Sequence, residues 1–119
     1  MAAGERQRFG AAGERLVARW YEHAGYEVVD RNWRCPQGEL DLVCRRGHHL
    51  VICEVKSRRS ERLGTGPEAV NRAKQLRLRR LAARWMAQHR PDGGRWASVR
   101  FDVAVVTRAG VEMIEDALP

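Results

Sequence analysis

Residues 38–58, GELDLVCRRGHHLVICEVKSR, decide the fold. The first half, residues 38–46, alternates strictly between apolar and polar positions, as a half-buried β-strand does. The second half, residues 49–58, is dense in Leu, Val, Ile and Cys and also predicts a strand. The short segment between them contains Gly47, which suits a tight turn. The stretch therefore predicts a β-hairpin.

The charged residues of both predicted strands gather on one face. Successive side chains of a strand point to opposite faces, so the assignment follows from the residue numbers. In the first strand, one face carries Glu39, Asp41 and Val43, and the other carries Leu40, Leu42 and Cys44. In the second strand, one face carries Ile52, Glu54, Lys56 and Arg58. The hairpin therefore carries acids and bases on one side.

Two acids are predicted to oppose each other across this hairpin. The residue numbers of opposed pairs add up to 95 when the turn is centred on residues 46–49, which places Asp41 opposite Glu54. Opposed β-carbons lie about 5 Å apart, where like charges destabilise a sheet. A divalent cation reverses that effect, because Mg²⁺ binds one or two carboxylates together with waters and phosphate. Lys56, on the face of Glu54, can then orient the attacking water and stabilise charge on a phosphate.

The alternative interpretation of these residues is a surface hairpin with an ion pair between Glu54 and Lys56 on its solvent-facing side. The neighbours of Asp41 and Glu54 in sequence are strongly apolar, which favours a half-buried face instead. An unpaired charge is costly there. The metal-site interpretation is therefore preferred.

The remaining elements surround the hairpin. Apolar spacing predicts helices over residues 10–25 and 67–89, and strands over residues 26–32, 99–107 and 111–115. The predicted order is αβββαββ, an α/β fold with helices covering a sheet. The apolar faces of the two helices are predicted to be Leu16, Val17, Trp20, Tyr21 and Ala24 in the first, and Val70, Leu78, Leu81 and Trp85 in the second. Thr65 or Gly66 is predicted to cap the second helix, with Pro67 in its first turn.

Composition narrows the class of protein. A chain of 119 residues predicts a single domain. It has no apolar run of the roughly 20 residues that span a bilayer, and residues 1–10 lack a secretory signal. The three cysteines are odd in number and lack CxxC spacing, so we interpret them as small buried hydrophobic residues in a reducing cytoplasm.

The charge points to a polyanionic partner. The formal net charge is +7 and the pI is about 10.3, and nucleic acid is the commonest polyanion that a basic surface binds. The alternative is compositional, since all but two of the 22 basic residues are arginines and a GC-rich genome favours arginine.

The motifs G-E-L-D-L-V and L-V-I-C-E-V-K-S-R resemble those of the PD-(D/E)XK nuclease superfamily. More closely, the chain resembles the YraN family of small bacterial proteins, which are related to archaeal Holliday-junction resolvases. The likeness covers nearly the whole chain and includes G-A-A-G-E at residues 10–14, R-N-W-R at 31–34, K-Q at 74–75 and R-F-D-V at 100–103. It departs at Ile52 and Cys53, where Phe or Val is usual, and at Met113, where a histidine is expected.

The resemblance implies a restriction-endonuclease-like mixed β-sheet flanked by helices over residues 1–119, and a site that needs Mg²⁺ or Mn²⁺. It implies that Asp41 and Glu54 are metal ligands and that Lys56 is the catalytic lysine. Glu14 would be the additional acid of resolvase-like members, and Glu39 would assist. It leaves open whether this branch of the superfamily cleaves anything.

Five further candidates have weaker signals. Lys74 falls within an apolar stripe, where it either reaches phosphate or the metal site or extends outward to solvent. Gln75 can position a phosphate or be an ordinary surface residue, and Arg58 and Arg77 can contact backbone phosphates or lie on a solvated face. Asp102, at the start of a buried strand, is a secondary site candidate, with a structural cap or ion pair as its commoner role.

We expect a metal-dependent endonuclease that hydrolyses phosphodiester bonds in DNA rather than RNA, including branched or structured DNA. The first alternative is a non-catalytic nucleic-acid-binding module with the nuclease fold, which predicts salt-sensitive binding without turnover. The second is a basic scaffold for a protein partner, which predicts no affinity for nucleic acid. Chemistry on two strands favours a homodimer, by analogy only.

Overall fold

The computed structural model describes residues 3–58 and 71–118, with side chains from Gly10 onward. These residues form two helices and five strands in the predicted order. The elements are α1 (Ala3–His23), β1 (Glu27–Cys35), β2 (Gly38–Arg46), β3 (His49–Ser57), α2 (Arg72–Gln88), β4 (Ser98–Thr107) and β5 (Gly110–Ile114).

The five strands form one mixed sheet in the order β1-β2-β3-β4-β5. The pair β3–β4 is parallel and the other three pairs are antiparallel. A parallel pair needs a crossover connection, and α2 lies in that connection. The predicted α/β class, with a mixed sheet flanked by helices, is confirmed and is consistent with a restriction-endonuclease-like fold.

The central hairpin has the predicted register. Its paired residues run from Leu42–Cys53 to Arg46–His49, so the residue numbers of each pair add up to 95. The turn passes through Gly47 at a φ of 62°, a left-handed conformation that glycine adopts without steric cost.

The two helices cover opposite faces of the sheet, and each covers its own apolar cluster. The cluster under α2 comprises Leu40, Val43, Leu50, Ile52, Leu78, Leu81, Ala82, Trp85, Phe101 and Leu118. The cluster under α1 comprises Val17, Ala18, Tyr21, Leu42, Cys44, Val51, Cys53, Ala104 and Val106. We call these two sides the α2 face and the α1 face. Residues of β3 alternate between them, which fixes Glu54 and Lys56 on the α2 side.

The strict alternation predicted for β2 was wrong at one point. Leu40 packs in the α2 cluster together with Val43, whereas Leu42 and Cys44 pack in the α1 cluster. The change falls at Asp41, one residue beyond the last paired position of β2 with β3. Strand β2 stays paired with β1 on both sides of Asp41, through Arg31–Leu42 and Trp33–Leu40, and the β1 residue between these pairs, Asn32, has a left-handed φ of 51°. This irregular backbone in the neighbouring strand coincides with the break in the two-residue period.

Two predicted boundaries at the start of the chain were wrong. Helix α1 begins at Ala3 rather than at residue 10. Strand β1 extends to Cys35 rather than ending at Asn32. Asn32 adopts a φ of 51°, a left-handed conformation that asparagine tolerates better than most residues, and the strand continues through it.

The predicted apolar face of α1 was too wide. Val17 and Tyr21 are buried as expected, but Leu16 and Trp20 are 45% and 36% exposed. Ala18 is buried in their place. A large apolar residue at helical spacing is therefore not a sufficient sign of burial, because roughly half of a protein's surface is apolar.

Helix α2 begins later than predicted. Its N-cap is Asn71, whose side chain accepts a hydrogen bond from the Lys74 N–H at 2.9 Å. The predicted cap at residues 65–66, the first-turn residue Pro67 and the stripe residue Val70 lie outside the described residues. Leu78, Leu81 and Trp85 of the predicted stripe are buried as expected.

The predicted burial of the cysteines holds for two of the three. Cys44 and Cys53 are buried and carry free thiols, as predicted, while Cys35 is only half-buried. Burial raises the pKa of the Cys44 thiol to about 12.

Neither helix is long and apolar enough to cross a membrane.

Candidate functional site

The candidate site lies at the open end of the central hairpin, away from its turn. Asp41 of β2 and Glu54 of β3 both follow directly on Leu42–Cys53, the last pair of the hairpin ladder. Lys56 is two residues further along β3, and the first turn of α2 brings Lys74 to the same place. The sequence thus delivers two acids and two lysines to one spot.

Asp41 is anchored to the neighbouring strand by its carboxylate. Its Oδ2 accepts a hydrogen bond from the backbone N–H of Val55 at 2.8 Å. The side chain thereby satisfies a donor of β3 just beyond the last backbone pair of the two strands, Leu42–Cys53. This bond holds the Asp41 carboxylate beside Glu54.

Glu54 is held in an environment that disfavours its charge. Its side chain is 14% exposed. Burial raises the pKa of Glu54 to about 7, and the hydrogen bond with Asp41 and the charge of Asp41 act in the same direction. The positive charges of Lys74 and Lys56 oppose the rise. The structure therefore brings the carboxyl groups of the two acids into hydrogen-bonding contact.

The two lysines complete the cluster. Lys74 Nζ lies 3.8 Å from Glu54 Oε1, so of the two predicted alternatives this lysine reaches the acids rather than extending into solvent. Burial and the neighbouring Lys74 ammonium lower the pKa of Lys56, while the charges of Glu54 and Asp41 oppose that fall. Each lysine therefore faces both an acid and a like charge.

Glu14 lies at the edge of this cluster and not within it. Its Oε2 accepts a hydrogen bond from Asn32 Nδ2 at 3.1 Å. Burial raises the pKa of Glu14, the Asn32 hydrogen bond opposes the rise, and the charges of Asp41 and Glu39 add to it. The described residues contain no group of three or more His, Cys, Asp or Glu side chains placed to hold one metal ion. Asp41 and Glu54 thus form a pair, with Glu14 nearby.

A close contact between α1 and β3 sets the position of Glu14. A β-carbon placed on Gly13 would lie 2.5 Å from Ser57 Oγ and 3.5 Å from Val106. A side chain at position 13 would therefore force Ser57 to move, so glycine suits the close approach of α1 to the end of β3. Gly13 and Asn32 were missed by sequence reasoning, although both belong to motifs that it quoted.

Glu39 is directed to a different partner. It forms an ion pair with Arg34 on β1, with Arg34 Nε and Glu39 Oε2 3.0 Å apart. Arg34 is its direct neighbour in the β1–β2 register. Glu39 therefore acts on Glu14 through its charge and pairs with Arg34 rather than with the acid–lysine cluster.

Asp102 belongs to the interior of the α1 face. It is 1% exposed and accepts hydrogen bonds from Tyr21 Oη at 2.6 Å, from Arg100 at 2.9 and 3.0 Å, and from the Asp116 N–H at 2.9 Å. Burial, Cys53 and the hydrogen bond to Asp102 raise the pKa of Tyr21. Both carboxylate oxygens of Asp102 are occupied, so this residue ties α1 and the chain after β5 to the sheet. Its placement supports the structural role rather than the secondary site role.

The other predicted contact residues lie on α2 or directly after β3, the two elements that carry Lys74 and Lys56. Arg58 follows β3 directly and its N–H donates to Val106 O at 2.7 Å. Gln75 is half-buried, and its N–H donates to Asn71 O at 2.9 Å in the first turn of α2. Arg77 is exposed on α2.

The acid pair has the chemistry that a hard divalent cation requires. Mg²⁺ is bound through one or two carboxylates, with water and substrate phosphate completing its oxygen shell. Asp41 and Glu54 supply two carboxylates that are in contact and that repel when both are ionised. A dication favours the ionised form of both acids, so the residues present fit such an ion.

The fold and the site together define a class: a mixed α/β protein of restriction-endonuclease-like architecture with an acid–lysine cluster at the end of its central hairpin. Sequence comparison gives the family. The chain belongs to the uncharacterised protein family UPF0102, whose sequence model matches residues 13–106. That span begins beside Glu14 and includes the whole acid–lysine cluster.

Three relatives show how similar this chain is in sequence to other members of the family. A UPF0102 protein of Beutenbergia cavernae is 56% identical over 108 residues, covering 89% of this chain and 89% of the relative. One of Frankia alni is 49% identical over 111 residues, covering 93% and 90% of the two chains. One of Nocardia farcinica is 48% identical over 103 residues, covering 87% and 79%. The likeness therefore extends over most of each protein.

Proposed function

We propose that this protein is a metal-dependent endonuclease that hydrolyses phosphodiester bonds, with DNA as its substrate. The observation that carries the proposal is the contact between Asp41 and Glu54. Burial first, and then this contact, raise the pKa of Glu54 to about 7. A hydrogen-bonded acid pair beside two half-buried lysines lowers the stability of a fold, and such arrangements are concentrated at functional sites. The resemblance to PD-(D/E)XK nucleases suggests the reaction, which is metal-dependent hydrolysis of a phosphodiester bond.

The roles of the residues follow from their positions. Asp41 and Glu54 would hold Mg²⁺ or Mn²⁺, which when bound supplies a Lewis acid and lowers the pKa of a coordinated water. Asp41 is fixed by the Val55 N–H, so its orientation is set before any ion binds. Lys74 favours the ionised form of Glu54.

Lys56 is the residue suited to the reacting groups. Because burial and Lys74 lower its pKa, Lys56 can exchange a proton with a nucleophilic water near neutral pH more readily than an ordinary lysine. In its charged form it stabilises negative charge that develops on the phosphate. Glu14, held by Asn32 at the edge of the cluster, is placed to contribute a further carboxylate once substrate is present.

A cleavage assay with matched variants tests this proposal. Plasmid and branched DNA are incubated with Mg²⁺ or Mn²⁺, and nicked and linear products are quantified. Asp41→Asn, Glu54→Gln and Lys56→Met should each lower the rate about 100-fold or more, since positioned acid–base groups contribute at least that much. Glu112→Gln, which removes an exposed acid of β5, serves as the control with an unchanged rate. Equal residual cleavage in all four variants would reject the assignment.

Lys56→Arg separates proton exchange from simple charge. Arginine keeps the positive charge but does not release its proton in proteins. Cleavage should fall as far in Lys56→Arg as in Lys56→Met if Lys56 exchanges a proton, and it should be largely retained if charge alone is needed. Calorimetric titration with Mn²⁺ gives an independent readout, in which Glu54→Gln loses binding and Lys56→Arg keeps it.

A non-catalytic nucleic-acid-binding module is the second candidate. The net charge of +7 favours it, because that charge supports binding whether or not turnover occurs. Under this candidate, DNA binding falls steeply with salt, and no Mg²⁺ or Mn²⁺ concentration produces cleavage. The same plasmid assay therefore separates the two candidates.

A further inference from the structure

A groove lined by arginines lies beside the candidate site. It has a volume of about 480 Å³ and is formed by α2 and the turn between β1 and β2. Its lining residues are Gln37, Ala73, Arg77, Arg80, Leu81 and Arg84. We call it the arginine groove.

The positive charge of the arginine groove is not balanced by acids in the described structure. Within residues 3–58 and 71–118, neither Arg77 nor Arg80 has an ion-pair partner, and both are exposed. Arg84 Nη1 donates to Gln37 Oε1 at 2.6 Å, and that partner is a neutral amide. Three guanidinium groups therefore line one groove without a counter-charge.

Helix α2 as a whole shows the same imbalance. Its sequence, RAKQLRLRRLAARWMAQ, contains six basic residues and no acid. Like charges at positions i and i+3 or i+4, such as Arg77 with Arg80 and Arg80 with Arg84, destabilise a helix. A helix selected only for solubility would mix both signs. The charge pattern thus favours an anionic ligand that binds along the helix.

The arginine groove runs along the same helix that carries Lys74 of the acid–lysine cluster. Ala73 lines the groove, and the adjacent Lys74 lies 3.8 Å from Glu54. From Lys74 to Arg84 the helix advances about 15 Å at 1.5 Å per residue. That length corresponds to about four base pairs at 3.4 Å each. The groove is therefore long enough for several phosphates and not for one alone.

The lining residues of the groove also favour a duplex ligand over a single strand. Proteins that bind single strands stack bases on aromatic side chains. None of the described lining residues is aromatic, whereas guanidinium groups pair with phosphate oxygens through two parallel hydrogen bonds. The groove therefore matches a phosphate backbone rather than exposed bases.

We propose that the arginine groove binds the phosphate backbone of a nucleic-acid duplex, next to the phosphodiester held at the acid–lysine cluster. This inference rests on the proposed function, since it names where the flanking part of that substrate lies. Arg77, Arg80 and Arg84 each contact a backbone phosphate. Binding through the groove is independent of sequence, because phosphate contacts position a duplex and do not read its bases.

Salt-dependent binding tests this proposal without cleavage. Affinity for a fluorescein-labelled DNA duplex of mixed sequence is measured by fluorescence anisotropy in EDTA over a range of salt concentrations. Each phosphate contact removed should reduce the slope of log K against log salt by about 1. The variant Arg77→Gln/Arg80→Gln/Arg84→Gln should therefore lose about 3 from the slope and bind at least about tenfold more weakly at low salt.

The control variant removes the same charge elsewhere. Arg15→Gln/Arg19→Gln/Arg108→Gln also lowers the formal net charge of +7 by three, using exposed arginines outside the arginine groove. Its slope should stay within about 1 of the unchanged protein. Equal losses in the two triple variants would overturn the proposal, because net charge alone would then explain binding.

A second variant guards against an effect on folding. Arg84 contacts Gln37, so its replacement removes a hydrogen bond as well as a charge. The variant Arg77→Gln/Arg80→Gln leaves that contact in place and should still lose about 2 from the slope. No change in its slope would overturn the proposal.

The failure of this inference can be distinguished from the failure of the proposed function. Duplex binding that depends on the groove, without any Mg²⁺- or Mn²⁺-dependent cleavage, would support the groove proposal and reject the proposed nuclease function. Cleavage and binding that the groove variants both leave unchanged would reject the groove proposal and support the nuclease function. Tighter groove-dependent binding of a single strand or of a polyglutamate peptide would overturn the assignment of a duplex ligand.

Discussion

Replacing Glu54 with glutamine should make this protein more stable above neutral pH. Burial and the contact with Asp41 raise the pKa of Glu54 from its ordinary value of 4.5 to about 7. The folded protein therefore keeps this proton over a pH range in which the unfolded chain has already lost it. The stability that the proton confers is present below pH 4.5 and is lost as pH rises through about 7.

The size of the effect follows from the interval between the two pKa values. One pKa unit is worth about 1.4 kcal/mol, so the interval from 4.5 to about 7 corresponds to about 3 kcal/mol. The Glu54 side chain is only 14% exposed, so solvent screening reduces this figure little. Glutamine keeps the shape of the side chain and does not titrate. At pH 8, Glu54→Gln should exceed the unchanged protein in stability by about 3 kcal/mol.

Urea unfolding at a series of pH values, in EDTA, measures this difference. The two proteins should have similar free energies of unfolding at pH 4.5, should diverge between pH 4.5 and about 7, and should differ by a constant amount above that range. Glu112→Gln, which neutralises an exposed acid of β5, is the control and should follow the unchanged protein at every pH. A Glu54→Gln variant that is no more stable than the unchanged protein at pH 8 would refute the reasoning.

Divalent ions should narrow the difference in stability between the two proteins if Glu54 holds a metal. An ion that binds only the folded state stabilises it by about 2.7 kcal/mol at one hundred times its dissociation constant. Added Mn²⁺ should therefore raise the stability of the unchanged protein toward that of Glu54→Gln and leave the variant unaffected. Equal stabilisation of both proteins would show that the ion binds elsewhere.

Three further changes have defined outcomes. Asp41→Asn should lower the pKa of Glu54 toward its ordinary value, because it removes the neighbouring charge. Carboxyl NMR titration measures the pKa of Glu54, and an unchanged value would show that Asp41 does not affect it. Tyr21→Phe removes a donor from the buried Asp102 and should cost about 1–3 kcal/mol of stability in urea unfolding; a neutral outcome would mean that the contact is not needed. Asn71→Ala removes the N-cap of α2 and should cost about 1 kcal/mol, whereas Asn71→Ser should cost much less.

The central hairpin was predictable because its determinants are local. A short turn through Gly47 fixes the register, which runs from Arg46–His49 to Leu42–Cys53. Asp41 and Glu54 are the next residues beyond that last pair, and the structure brings their carboxyl groups into contact. This part of the candidate site needed no knowledge of the rest of the chain.

The parts that could not be predicted depend on contacts between distant segments. Lys74 reaches Glu54 only because α2 begins after the Asn71 cap and packs at one particular rotation on the sheet. The bond between Asn32 and Glu14 depends on a left-handed residue within β1. Helical periodicity gives a face but not the partner that the face meets, so neither contact could be inferred from spacing alone.

The use of lysine in this chain bears on what the site does. Lys56 and Lys74 are the only two lysines among 22 basic residues, and both lie beside Glu54. A bias toward arginine accounts for the other twenty positions, where any cation suffices, but it does not account for these two. Lysine differs from arginine in having a compact ammonium that can lose its proton, and burial together with the second lysine lowers the pKa of Lys56 further. Simple charge pairing with Asp41 and Glu54 would be served as well or better by arginine, which pairs with carboxylates through two hydrogen bonds. The two lysines therefore indicate a site that requires proton exchange or close approach by a small cation, and hydrolysis of a phosphodiester makes both demands.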